Sequence, residues 1–101
     1  MVGNKNPPNN HGCTPLHIAA SFGYLAIFKL IIENIENKNP TDKIGWTPFH
    51  EAARNGHWKI CKVIIDNVRN INPVDNYGRT PLDIAKWKEH FKLCTLITLH
   101  Q

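Results

Sequence analysis

The chain repeats one nine-residue motif three times at a fixed pitch of 33 residues. The copies begin at Gly12, Gly45 and Gly78, and they read Gly-Cys-Thr-Pro-Leu-His-Ile-Ala-Ala, Gly-Trp-Thr-Pro-Phe-His-Glu-Ala-Ala and Gly-Arg-Thr-Pro-Leu-Asp-Ile-Ala-Lys. Asn39 and Asn72 keep the same spacing. A period of roughly 20–50 residues predicts units that stack and share a core with their neighbours. The 101 residues hold three such units, which is about the minimum for a stable stack.

The residues around each motif predict a turn followed by two short helices. In the middle unit, Asp42 suits a turn and Gly45 allows a positive φ angle. Thr47 is a good N-cap, and Pro48 fits the first helical position, where a missing N–H costs nothing. The same pattern in all three units predicts six helices, at residues 15–22, 25–34, 48–55, 58–67, 81–88 and 91–99.

A turn followed by Thr-Pro-Leu-His-x-Ala at this pitch resembles the ankyrin repeat, and the resemblance covers nearly the whole chain. It implies an all-α solenoid of helix-turn-helix units joined by β-turn or hairpin-like loops. We expect one domain over residues 1–101. It divides into the tail of a preceding repeat (1–8), repeat 1 (9–41), repeat 2 (42–74) and a degenerate capping repeat 3 (75–101).

The two ends of the stack are expected to differ. Asp83, Lys86 and Thr98 replace the His, Ala and Ile of the other repeats, so polar groups lie where no following repeat covers them. Asn6-Pro7 matches Asn39-Pro40, which indicates the C-terminal part of a longer array. The N-terminal end would then expose an apolar face that includes Phe22 and Phe28.

Two departures from the family pattern lead to further expectations. The second helix usually ends in a left-handed Gly, but Ile35 and Val68 stand there. Because β-branched residues disfavour that conformation, Asn34 or Asn67 is expected to be the left-handed residue. Trp58 occupies a slot that is usually a core Leu, so we assign it to packing.

The chain shows no catalytic, cofactor or metal motif. His17 and His50 occupy the position that the resemblance assigns to a hydrogen bond with neighbouring backbone, and no two histidines have metal-binding spacing on one helix. The three cysteines form no Cys-x-x-Cys pair, and a sparse, odd set is typical of a reducing compartment. We therefore predict no enzymatic activity, no cofactor, no metal and no small-molecule substrate.

The resemblance implies protein binding through a concave face made of the turn tips and first helices. The family's variable positions on that face are Asn10, His11, Cys13, Ser21, Phe22, Lys43, Ile44, Trp46, Arg54, Asn55, Asn76, Tyr77, Arg79, Trp87 and Lys88. None of them is acidic, and Trp, Tyr and Arg are typical interface anchors. We predict an acidic protein partner that contacts His11, Phe22, Lys43, Ile44, Trp46, Arg54, Tyr77, Arg79, Trp87 and Lys88.

Other interpretations remain open. Trp46 can simply pack along the turns, and Trp87 can cover the end of the stack. The chain can instead be a structural segment of a longer array whose partner site lies elsewhere, or the targeting part of a larger enzyme. Nucleic acid binding is disfavoured because the lysines are dispersed, and no apolar run approaches the roughly 20 residues of a membrane span. We expect a monomeric scaffold or adaptor in the cytoplasm or nucleus.

Overall fold

The computed structural model describes residues 5–101, and these residues form three successive helix pairs with no β-strand among them. Four helices have the bounds expected from the sequence. The second ends two residues earlier, at Ile32 instead of Asn34, and the fifth ends at Trp87 instead of Lys88. The helices are α1 (Pro15–Phe22), α2 (Leu25–Ile32), α3 (Pro48–Asn55), α4 (Trp58–Asn67), α5 (Pro81–Trp87) and α6 (Phe91–Leu99).

Each first helix begins at the same reciprocal cap. The hydroxyls of Thr14, Thr47 and Thr80 accept a hydrogen bond from the backbone N–H three residues later, and the side chain of that later residue accepts one from the threonine N–H. His17 fills this second role in repeat 1 and Asp83 fills it in repeat 3. Because both orphan donors are satisfied, the motif fixes where the helix starts.

The units stack side by side into a solenoid about 43 Å long. First helices pack on first helices (α1 on α3, α3 on α5), and second helices pack on second helices (α2 on α4, α4 on α6). A hairpin-like turn precedes each pair, closed by backbone bonds such as that from Asp42 N to Trp46 O at 2.9 Å. The small Ala19, Ala20, Ala52 and Ala53 are fully buried or nearly so, which lets neighbouring first helices approach closely.

The N-terminal end of the stack exposes apolar side chains that are covered elsewhere. Ile27 is 53% exposed, whereas Ile60 and Leu93, which occupy the same position in repeats 2 and 3, are 1% and 2% exposed. Phe22 is also exposed, as expected. The prediction for Phe28 is wrong, because this side chain is completely buried in the core that the repeats share.

Two other predictions are wrong. Among residues 5–101, Glu89 is the one non-glycine residue with a positive φ, at 59°, so neither Asn34 nor Asn67 is left-handed. Instead, Glu33 continues in right-handed helical geometry after α2, and Val68 is extended after α4. Trp58 is 39% exposed rather than a core residue, because it lies on the outer surface of α4 beside Lys59 and Lys92.

Candidate protein-binding site

Hydrogen bonds between neighbouring turns bring the predicted turn-tip residues into one continuous ridge. Lys43 N donates to His11 O at 3.2 Å, and Asn76 N donates to Ile44 O at 3.0 Å. The side-chain amide of Asn76 also donates to Lys43 O at 3.0 Å. The tips of all three turns are therefore locked in register, and their exposed side chains form a single surface.

Inside each turn, one side-chain oxygen organises the backbone. Oδ1 of Asn9, Asp42 and Asp75 each accepts two backbone N–H groups, from the residues two and four positions later. Asn and Asp are favoured in turns for this reason. Since an amide oxygen performs the task in the first turn, the negative charge of Asp42 and Asp75 is not required for it.

The free oxygen of Asp75 connects the second and third turns. Its Oδ2 accepts from the indole Nε1 of Trp46 at 2.9 Å and from the Nε of Arg79 at 2.7 Å. Burial alone would raise the pKa of Asp75, but the bonds from the Arg79 backbone and guanidinium, the Tyr77 N–H and the Trp46 indole lower this pKa to about 2. Sequence reasoning missed this role of Asp75.

Trp46 is placed for packing more than for contact with a partner. It is 7% exposed, and its ring lies against the ring of His50 with 5.6 Å between centroids. Together with the bond to Asp75, this burial leaves little of the indole available at the surface. Of the two interpretations that the sequence leaves open for Trp46, the geometry favours packing along the turns.

Arg79 is held in a fixed orientation at the surface. Its guanidinium carbon lies 5.1 Å from the ring centroid of Tyr77 and 5.9 Å from that of Trp46, while its Nε is bonded to Asp75. Tyr77 itself is 75% exposed. An Arg stacked on aromatic rings keeps its remaining donors in a defined direction, so Tyr77 and Arg79 form a preorganised basic and aromatic pair.

The remaining predicted contacts lie at the other end of the first helices. Phe22, Arg54, Trp87 and Lys88 are exposed near the helix C-termini, about 10 Å along the helix axis from the turn tips. Trp87 is 69% exposed, and Lys88 Nζ lies 5.3 Å from its ring centroid. The structure thus divides the ten predicted residues between the turn ridge and a helix-end group.

The helix ends are also held in register between repeats. His57 Nε2 lies 3.1 Å from Ser21 O, and His90 Nε2 lies 3.0 Å from Arg54 O. Each carbonyl belongs to the end of the preceding first helix, where it accepts a bond from the ring N–H. Both ends of the concave face are therefore rigidly spaced.

The acidic groups of the face are engaged within the fold, whereas several of its basic groups make no ion pair in the described residues. Asp42, Asp75 and Asp83 accept hydrogen bonds from turn and cap backbone. Burial raises the pKa of the half-buried Glu51, and the nearby charge of Asp42 raises it further. Lys43, Arg54 and Lys88, by contrast, are exposed, and none makes an ion pair within residues 5–101.

The two motif histidines connect each repeat to the next by a hydrogen bond. His17 Nε2 lies 2.7 Å from Trp46 O and His50 Nε2 lies 2.8 Å from Arg79 O, so each ring N–H donates to the next turn. Burial lowers the pKa of both imidazoles, which favours the neutral tautomer that these bonds require. No cluster of three His, Cys, Asp or Glu side chains suited to a metal is found in the described part of the chain.

Comparison with protein-family models identifies the class. A model described as ankyrin repeats (3 copies) matches residues 30–100, and another described as ankyrin repeats (many copies) matches residues 3–52. A comparison with curated proteins found no match. The chain belongs to the ankyrin repeat family, as the spaced motifs indicate. Ankyrin repeats are generally protein-interaction modules and are typically non-enzymatic.

Within residues 5–101, none of the six helices combines the length and the apolar character that crossing a bilayer requires.

Proposed function

We propose that this ankyrin domain is a scaffold or adaptor module that binds an acidic, partly apolar segment of a partner protein on its concave face. The anchors are Tyr77, Arg79, Trp87 and Lys88. The smaller contributions come from the other exposed residues of the predicted set, which are His11, Phe22, Lys43, Ile44 and Arg54. Trp46 supports Arg79 from beneath and makes little direct contact.

The observation that carries this proposal is the preorganisation of Arg79. Its guanidinium is fixed by Asp75 and two aromatic rings before any partner arrives. A surface whose side chains are already ordered loses less entropy on binding, and Arg and Tyr are among the residues that dominate interface energies. A carboxylate of the partner would meet the free guanidinium nitrogens, while apolar groups pack on Tyr77.

Affinity capture from a lysate of the native source tests the proposal. The baits are the wild-type chain, the double variant Tyr77→Ala/Trp87→Ala, and the control Leu99→Ala, which removes an equally exposed apolar side chain away from the face. Circular dichroism checks that all three remain helical. We expect a partner that the wild type and Leu99→Ala retain and the double variant loses. Equal capture by all three baits would contradict the proposal.

The exposed apolar N-terminal end favours a second candidate function, a structural segment within a longer ankyrin array. Ile18 and Ile27 correspond to positions that a preceding repeat buries in repeat 3. Asn6 is buried, and its Oδ1 accepts from Leu16 N at 2.9 Å, which suits a repeat tail at residues 5–8; residues 1–4 of the proposed tail lie outside the described part.

A fusion tests this second candidate. Placing a copy of residues 42–74 directly before Asn9 adds one repeat, and we expect the fused chain to unfold at a higher temperature. The same fusion carrying Ile27→Lys should lose that gain. If the fusion gives no gain, the N-terminal face does not accept a repeat.

Further proposals concern the setting of the module. We propose that the module is a monomer. We also propose that it lies in the cytoplasm or nucleus, because its three cysteines are all free thiols and free thiols are typical of reducing compartments. We also propose that it has no catalytic activity and takes no small-molecule substrate. Size-exclusion chromatography with light scattering tests the monomeric state.

A further inference from the structure

The second helices carry a surface that the concave-face proposal does not use. A groove of about 520 Å³ lies between α2 and α4, and we call it the outer groove. Lys29, Trp58, Lys59 and Lys62 line it, together with the acidic Glu33 and Asp66 at the helix C-terminal ends. The exposed part of the Trp58 indole therefore faces a lysine-lined depression.

Positive charge converges on Trp58. Lys59 Nζ lies 5.8 Å from the centroid of its ring, and Lys92 Nζ, which comes from α6, lies 5.2 Å away. None of the lysines at 29, 59, 62 and 92 has a carboxylate within 4.0 Å in the described part of the chain. Two ammonium groups, those of Lys59 and Lys92, thus lie near one partly exposed aromatic ring, and Lys29 and Lys62 line the adjoining groove.

The positions of Lys59 and Lys92 are unfavourable for the helices themselves. Each is the second residue of its helix, and the first turns of α4 and α6 contain no acidic residue. The helix dipole makes its N-terminal turn positive, so cations are disfavoured there and anions are favoured. Local departures from such stability rules are expected at functional or strained sites.

We propose that the outer groove binds a short acidic segment of a protein, in extended form, that carries an aliphatic or aromatic side chain. The apolar side chain would pack on Trp58, and its flanking carboxylates would meet Lys29, Lys59, Lys62 and Lys92. The occupant is a short segment, because Glu33 and Asp66 repel a continuous anionic strand or surface at the far end. This surface lies on the second helices and is separate from the concave face.

Nuclear magnetic resonance on the full chain tests this assignment. The probe is a synthetic octapeptide of alternating Glu and Leu, titrated into the isotope-labelled protein. The indole N–H signals of Trp46, Trp58 and Trp87 report separately on the turn, the outer groove and the helix-end group. We expect the Trp58 indole and the amides of α2 and α4 to shift, and the matching peptide of Lys and Leu to leave them unchanged.

Charge-reversal variants provide the matched comparison. Lys59→Glu/Lys92→Glu should weaken binding about tenfold, as expected for the loss of two exposed charge contacts. Lys5→Glu/Lys86→Glu makes the same charge change at two exposed lysines that neither line the outer groove nor belong to the predicted concave-face set, and it should leave the Trp58 shifts unaltered. The assignment is overturned if the Trp58 signal stays still, if both double variants bind equally, or if oligothymidylate shifts Trp58 more than the peptide does. Shifts confined to Trp87 and the turns would support the concave-face proposal instead.

Discussion

Replacing Asp75 with Asn should destabilise the fold far more than the same change at Asp42. Oδ2 of Asp75 accepts from the Trp46 indole and the Arg79 guanidinium, whereas an Asn side chain would present an NH₂ group to these donors. The pKa of Asp75 falls from the ordinary 3.8 to about 2 in the folded chain. That difference corresponds to about 2 kcal/mol of stability at neutral pH.

The pH dependence follows from the sign of this shift. A carboxyl whose pKa is lowered by folding binds fewer protons in the folded state, so its contribution is complete above about pH 4 and is lost as the pH falls toward 2. The difference in unfolding free energy between wild type and Asp75→Asn should therefore be about 2 kcal/mol at pH 7 and shrink over that range. For a domain of this size, 2 kcal/mol lowers Tm by about 8–16 °C.

Urea unfolding followed by circular dichroism at pH 7 and at pH 3 measures both quantities. Asp42→Asn is the matched control, because Asp42 organises its turn through Oδ1 and the first turn natively uses Asn9 for that task. We expect the control to lose well under 1 kcal/mol. The reasoning would be refuted if the two variants lost equal stability, or if the Asp75→Asn difference did not depend on pH.

Three other substitutions test separate parts of the stack. Glu89→Gly should stabilise by about 1 kcal/mol, read as a higher Tm, because φ at this position is 59° and Gly adopts such angles without strain. Gly23→Ala should cost more than Gly78→Ala in urea unfolding, since an added Cβ at Gly23 meets an imidazole ring at 2.8 Å and one at Gly78 meets nothing within 4 Å. The urea midpoint should fall as the pH drops below about 6.5, because burial lowers the pKa of His17 and His50 and the unfolded chain then binds more protons. His17→Gln should reduce that slope, and an unchanged slope would contradict the explanation.

Local features of the fold are readable in the sequence because the residues that cause them are close together. Thr47, Pro48 and His50 lie within four positions, and between them they cap α3 and fix its start. Gly56 ends the same helix at a φ of 70°. Each of these effects depends on backbone geometry that one short motif specifies, and the 33-residue spacing then repeats it.

Side-chain environments across repeats are harder to derive. Trp46 is buried, and Asp75, 29 residues later, accepts its indole N–H. Phe28 is fully buried in the core that the repeats share, whereas Trp58 is exposed on the outer side of α4. Periodicity places a residue on a face, but the amount of that face that a neighbour covers depends on the size and tilt of side chains in another unit.

The motif histidines have a consequence for how the domain unfolds. The rings of His17 and His50 each donate to a carbonyl of the following repeat, so every such bond is a nearest-neighbour coupling rather than a contribution within one unit. Asp83 forms the same internal cap in repeat 3. Its carboxylate, unlike an imidazole ring, has no N–H that could donate to a carbonyl of another repeat. In a one-dimensional array, a terminal unit held from one side opens first. Amide hydrogens of α6 should therefore exchange sooner than those of α4, and the cooperative unit is centred on repeat 2.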